Sequence, residues 1–324
     1  GNMADKDLVL LGDLSIGSVF KLSLSEPGRR PQSVRSFGCA SYKDFEDAIV
    51  EYLSDCGAPA IQGAAFSTSG WEVEGKVDLV HYGFELDRSD LRNLLGAARV
   101  SVVNDFVAKA LAIPVLGEDE RITVCGLDRH RGETVAVIGP TAGLGGAFLA
   151  PDGQGGWIAS HCETGHADFA PCNELEIEVL RLMMKTYGHV SRERAVSAPG
   201  LCELWRCLAV IRGQTEQALS VDEILVQALV GDELACDAVR LQTELYAGIA
   251  SDFALATGAK GGVYLCGSHL EAMGDLFNHH VFAERFYAKG RVSSYLRDLP
   301  VYRITCPEPE IAGLSTLFDD LIAP

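Results

Sequence analysis

Positive charge is scarce in this chain: 27 lysines and arginines stand against 45 aspartates and glutamates, for a net charge of -18. A surface of that sign repels polyphosphate backbones, which excludes ordinary nucleic-acid binding. Long apolar runs are scarce too. The longest uncharged stretch, 134–151, approaches the length of a membrane span, but Gly139, Pro140, Gly143, Gly145 and Gly146 divide it into strand, turn and strand. Residues 8–11 are too short an apolar segment for a secretion signal, and Gly1-Asn2-Met3 reads as an addition at a natural start. The ten cysteines include no repeated C-x-x-C pair and no closely spaced zinc set, which predicts reduced, mostly buried thiols in a cytoplasmic protein. With 48% hydrophobic and 22% charged residues disorder is excluded, and 324 residues predict two domains at about 150 residues each.

The patterning alternates strands with helices, as an α/β protein requires. Residues 8–13 and 19–24 predict a β-hairpin around 13–18. Ser41 followed by Asp44 predicts a helix start; Phe45, Ala48, Ile49, Tyr52 and Leu53 share the face that follows, and Gly57 stops it. Further strands are expected at 58–66, 77–84 and 99–103, with short helices at 89–95 and 106–111. After Pro114 the pattern restarts with strands at 135–138 and 146–150. Asn173 and Glu176 then open a helix to Met184, and the longest helix runs from Leu234 to about Thr257, before Gly258. A strand at 262–266 and a helix at 311–322 close the chain. Both halves begin with strand, glycine turn and returning strand, at 13–21 and 139–148, which predicts duplicated α/β halves facing across a cleft.

Four places pair polar residues with glycine as ligand loops do. In the turn from Gly12 to Ser18, backbone amides and the Ser18 hydroxyl beside Gly17 suit a phosphate, with Asp13 near a bound Mg²⁺; a plain hairpin turn is the bland alternative. The stretch from Gly139 to Gly145, with Thr141 and Gly143, admits the same two readings. Asn104-Asp105 ends an apolar strand, where a carboxylate can take a proton from an attacking hydroxyl, or merely cap the helix at Phe106. From His161 to His166 two imidazoles, a carboxylate and a thiol crowd together; without helical H-E-x-x-H spacing a metal site is disfavoured, and Glu163 with His166 suits a polyol.

Together these places resemble the bacterial glucokinase family, within the hexokinase, acetate kinase and actin superfamily. The most specific stretches run from Val102 to Pro114, Glu163 to Pro171 and Gly188 to Leu201, and the similarity spans about Leu8 to Leu321. The cysteine-rich zinc motif of the related repressor and sugar-kinase branch is missing. The resemblance implies a two-lobed ribonuclease H-like fold of actin/hexokinase type, with a small domain of 1–115 plus 301–324 and a large one of 116–300. It implies ATP- and Mg²⁺-dependent phosphorylation of glucose at O6, closure of the lobes on the sugar, and a homodimer through the larger lobe. Asp105 matches the catalytic base; Asn104, Glu163, His166 and Glu193 match the residues that hold the other sugar hydroxyls. Asp13, Gly17, Ser18, Thr141, Gly143 and Gly267 fall in the nucleotide loops.

Those loops depart from the family pattern. Where the family has Asp-x-Gly-Gly-Thr, this chain has Asp13-Leu-Ser-Ile-Gly-Ser18, with Ile16 in the turn. The second loop reads Thr141-Ala-Gly-Leu-Gly145, its hydroxyl one position early. The adenosine motif reads Gly267-Ser268-His269, and His269 is placed to crowd a purine or stack on it. On the sugar side, the Asn of the family's strand-end Thr-Asn pair is replaced around His81. Two readings stay open: a glucokinase with a variant ATP site, or a sugar-binding regulatory relative with a degenerate nucleotide site.

Overall fold

The computed structural model describes residues 7–15, 17–70, 72–79, 83–127, 132–214 and 217–321. Ile16, His81 and Gly1 to Met3, each given a reading above, lie outside them. The described residues form two compact units, one running to Gly117 and resuming at Cys306, the other Glu118–Thr305.

The first unit carries strands β1 (Leu8–Leu14), β2 (Val19–Ser25), β3 (Arg35–Gly38), β4 (Ile61–Thr68), β5 (Glu72–Val73), β6 (Lys76–Leu79), β7 (Phe84–Asp87) and β8 (Arg99–Asn104), with helices α1 (Phe45–Asp55), α2 (Arg88–Leu95) and α3 (Asp105–Ala112). Its main sheet has the order β3-β2-β1-β4-β8. β1 and β2 form the expected antiparallel hairpin, and β4 and β8 extend the sheet in parallel. The strand expected over 77–84 is instead two strands, β6 and β7, in a small antiparallel sheet of order β5-β6-β7. Asp44, not Ser41, caps α1: its carboxylate accepts the Asp47 amide, while Ser41 ends a 3₁₀ turn. A stacked and edge-on cluster of Phe20, Phe37, Phe45 and Phe66 fills the core against α1.

The second unit carries β9 (Arg121–Cys125), β10 (Val135–Pro140), β11 (Leu144–Pro151), β12 (Trp157–Cys162), β13 (Gly262–Leu265) and β14 (Val301–Ile304). Its helices are α4 (Glu174–Met184), α5 (Arg192–Ala195), α6 (Ala198–Ile211), α7 (Val221–Leu229), α8 (Glu233–Thr257), α9 (Ser268–Met273), α10 (His279–Phe286) and α11 (Ser293–Arg297). The sheet order is β12-β11-β10-β13-β14-β9. Antiparallel β12-β11-β10 followed by parallel β13 and β14 repeats the first unit's β3-β2-β1 followed by β4 and β8, so the duplicated hairpin openings are real. Helix α8 is the spine of the core. Asp232 caps its start and left-handed Gly258 its end, and the buried Tyr246 hydroxyl donates to the Ile138 carbonyl at 2.6 Å. Arg285 clamps the fully buried Glu176 through two hydrogen bonds of 2.7 and 2.8 Å, tying α10 to the first turn of α4.

The chain then returns to the first unit as α12 (Pro309–Ser315). The helix expected over 311–322 stops at Ser315 and continues as a 3₁₀ segment, Thr316–Leu321, with non-helical backbone at Phe318. Gly313 lies so close to the Ala108 carbonyl that a methyl group there would collide with it, and this bare contact lets α12 pack on α3. All ten cysteines remain thiols.

Candidate active site

Asp105 is placed by the β8–α3 junction. Asn104 takes the capping duty, its Oδ1 accepting the Phe106 amide at 2.9 Å, and Asp105 is the first residue of the helix proper. The N-cap is therefore Asn104; the Asp105 carboxylate also receives the Phe106 amide and its own, and keeps acceptor capacity beyond them. In register Asp13 faces Ser67, and Ser67 faces Val103, so Asp13, Thr68 and Asn104 mark the carboxyl ends of three neighbouring parallel strands. That edge is where open α/β sheets bind ligands.

Burial shapes both acids. Asp13 is fully buried; its Oδ1 accepts the Ser67 hydroxyl at 2.9 Å and the Ser15 amide at 3.1 Å, while Oδ2 has no hydrogen-bond partner among the described residues. Burial, reinforced by the nearby Glu310 carboxylate, pushes the Asp13 carboxyl up to about 7. Burial likewise raises Asp105; the Lys109 ammonium opposes that rise and Glu310 adds to it. Lys109 Nζ is 3.4 Å from Glu310 Oε1, and both side chains are buried. Gly17 and Ser18 are exposed in the hairpin turn, where a side chain added to Gly17 would meet no described atom within 4 Å.

The second unit holds the other group. Glu163 precedes a 3₁₀ turn, Thr164–His166; its Oε1 lies 2.9 Å from His161 Nε2 and its Oε2 3.9 Å from His166 Nε2. His166 and Glu193 line one open cavity of about 520 Å³ together with Tyr187, His189, Ser191 and Arg194. Glu193 also reaches the second glycine loop, where its Oε1 accepts the Leu144 amide at 2.8 Å. Gly143 is glycine for that reason, since a methyl group there would land on Glu193 Oε1. The loop is braced internally: the Thr141 hydroxyl oxygen accepts the Gly143 amide at 3.0 Å, and the Thr141 amide donates to the Gly143 carbonyl at 2.8 Å. The Thr141 hydroxyl proton remains for an outside acceptor. Gly267, at φ 123°, lies against the Pro140 carbonyl, a position open only to glycine.

His269 corrects an expectation. It neither crowds nor stacks on a ligand but turns into the core, its Nε2 2.7 Å from Gln242 Oε1, and burial lowers it to about 4. Gln242 Nε2 in turn donates to the Ala195 and Ser197 carbonyls at 2.9 Å each, fixing the end of α5 behind Glu193. Sequence reasoning missed Ser67, Lys109, Gln242 and Glu310. Lys109 had a signal, a lysine four residues after Asp105 on an otherwise apolar helix; Glu310, some two hundred residues away, had none.

The site and fold have counterparts among known proteins. The family model for Glucokinase matches residues 10–321. The glucokinase of Chromobacterium violaceum is 36% identical over 97% of this chain and 90% of its own length. A glucokinase-like protein of Caulobacter vibrioides is 35% identical over 93% of this chain and 94% of its own. The crystal structure of a glucokinase from an Antarctic psychrotroph superposes with a TM-score of 0.89 at 26% identity, covering 97% of this chain and 99% of that one. These likenesses define a sugar kinase of the actin-like ATPase fold. The chain belongs to the glucokinase family.

Proposed function

We propose that the protein phosphorylates glucose at O6 with ATP and Mg²⁺. Family membership supports the sugar-kinase reading, and the placement of Asp105 carries its chemistry: a buried carboxylate at a parallel strand end, next to the N-cap Asn104. In the proposed step the 6-hydroxyl gives its proton to Asp105, the hydroxyl oxygen bonds to the γ-phosphorus, and the bond from that phosphorus to the bridging oxygen breaks to release ADP. Asn104, Glu163, His166 and Glu193 hold the remaining hydroxyls, the carboxylates accepting, the histidine and the amide able to do both. The Thr141 hydroxyl, in the turn that Gly143 closes, and the loop at Gly17 and Ser18 would meet the phosphates, with Gly267 making room for the adenosine.

Mg²⁺ fits the residues present, because the unpaired, buried Oδ2 of Asp13 is an acceptor suited to a metal-bound water. Bound there with the nucleotide, the ion would neutralise phosphate charge. By the same reading the protein acts in the cytoplasm, at the entry of glucose into glycolysis, and as a homodimer; exposed Val226, Leu229 and Val230 on the second unit support self-association. The test is ³¹P NMR of the protein with glucose, ATP and Mg²⁺. A phosphomonoester signal at C6 that needs all three supports the reading, and ADP release without a sugar phosphate refutes it.

A further inference from the structure

Two buried charges have no part in the chemistry just described. Lys109 and Glu310 are as buried as Asp105, although a charged pair gains little over an apolar one in such a place and is costly when one partner is lost. Their positions are over-determined. Lys109 follows Asp105 by one helical turn, so the two side chains share a face of α3. Its ammonium lies 4.1 Å from the Phe106 ring centre and 3.4 Å from Glu310 Oε1. Glu310 belongs to the first turn of α12, which the bare Gly313 contact holds against α3.

We propose that Lys109 is a positioning residue for phosphoryl transfer: its ammonium, anchored by Glu310, is the fixed positive charge that keeps Asp105 ionised and ready to accept a proton. The proposal rests on the reading of Asp105 as the base. The electrostatics agree in sign. Lys109 favours the ionised form of both Asp105 and Asp13, and Glu310 disfavours it. The further titratable group of this cluster is Asp13 on β1, which Lys109 and Glu310 influence in the same senses, so the resonance followed must be the one that Asp105→Asn removes. On β8, Arg99 is engaged with Asp320 at 3.1 Å; β4 contributes the uncharged Ser67 and Thr68; on the α12 side, Glu308 pairs with Lys21 at 2.9 Å. Glu310 thus has two effects, anchoring the cation and setting how far it favours the ionised form. A lone lysine would over-stabilise the carboxylate and weaken it as a base.

The two groups make opposite predictions. In Lys109→Met the acid limb of kcat/KM for glucose moves to higher pH, and below that limb the rate falls about tenfold for each unit of displacement. In Glu310→Gln the limb moves to lower pH, and in the double variant it returns toward its wild-type position. A pair that served only to hold α12 on α3 would lower the melting temperature in both single variants and leave the limb in place. A second readout does not depend on turnover. In protein labelled with ¹³C at the aspartate carboxyls, the resonance lost in Asp105→Asn is followed through pH in the same variants. An upward displacement in Lys109→Met with a downward one in Glu310→Gln supports the proposal. Displacement in the same direction, or none, overturns it even if the wild-type protein proves inactive, an outcome that would separately remove the kinase reading.

Discussion

Gly143→Ala puts the proposed sugar and phosphate roles of Glu193 and the second glycine loop to a sharp test. The Gly143 backbone is outside the left-handed region, so alanine is conformationally acceptable. Its methyl group would meet Glu193 Oε1 well inside contact distance and Cδ at 3.2 Å. The obstruction is the end of a flexible side chain, so the carboxylate swings away while the fold holds. What is lost is the 2.8 Å hydrogen bond from the Leu144 amide, together with the carboxylate's place in the cavity it shares with His166. Hydrogen bonds to charged groups contribute about 1.5–3 kcal/mol, so glucose affinity should fall roughly tenfold to a hundredfold. Calorimetric titration with glucose in the absence of nucleotide isolates this effect from any direct change at the phosphates. A melting temperature within a few degrees of wild type, with the expected loss of affinity, supports the argument. A glucose dissociation constant within twofold of wild type refutes it, and with it the placing of Glu193 at the sugar.

Asp13 predicts a pH dependence of stability. Its carboxyl rises from 3.8 to about 7 on folding, chiefly by burial, so the folded protein holds a proton that the unfolded chain has released in this interval. Stability from this source is fully present below 3.8 and is lost as pH rises through about 7. Urea unfolding at pH 5 and pH 8 should show a smaller decline in Asp13→Asn than in wild type, and equal declines contradict the assignment. Arg285→Met removes the two guanidinium hydrogen bonds to the buried Glu176 carboxylate, which keeps those from the Cys172 amide and Asn173 Nδ2, and by removing the charge partner should cost about 3–5 kcal/mol in guanidinium unfolding, much of it recovered in the double variant with Glu176→Leu. A cost within experimental error for the single variant would mean that Glu176 is neutral in the fold.

Local patterns carried much of this structure. The β1–β2 and β10–β11 hairpins, the capped spine α8 and the strand-to-helix step at Asn104-Asp105 all follow from periodicity and capping chemistry within a few residues. Errors arose where local signals competed. Ser41 and Asp44 are both capping residues, and only the backbone shows that the second does the work. Val77 and Phe84 look like one strand because the sequence between β6 and β7 carries no Asn-Gly pair to mark a break. His269 beside Gly267 looks like a ligand contact from sequence, since its partner Gln242 lies 27 residues earlier on another helix. The same limit hid Glu310. A buried charge cluster assembled from β1, α3 and α12 has no local pattern, and only the fold brings its members together.

The account's central claim is that Asp105 is the base of a working glucose kinase, and one comparison tests it most directly. Glucose 6-phosphate formation is measured with saturating glucose, ATP and Mg²⁺ for the wild type and Asp105→Asn, with the glucose-induced rise in melting temperature recorded for both. Steady turnover in the wild type that falls by at least about two orders of magnitude in the variant, with the glucose-induced rise kept, is the predicted result. Equal turnover in the two proteins would contradict it and reduce Asp105 to the first residue of a helix.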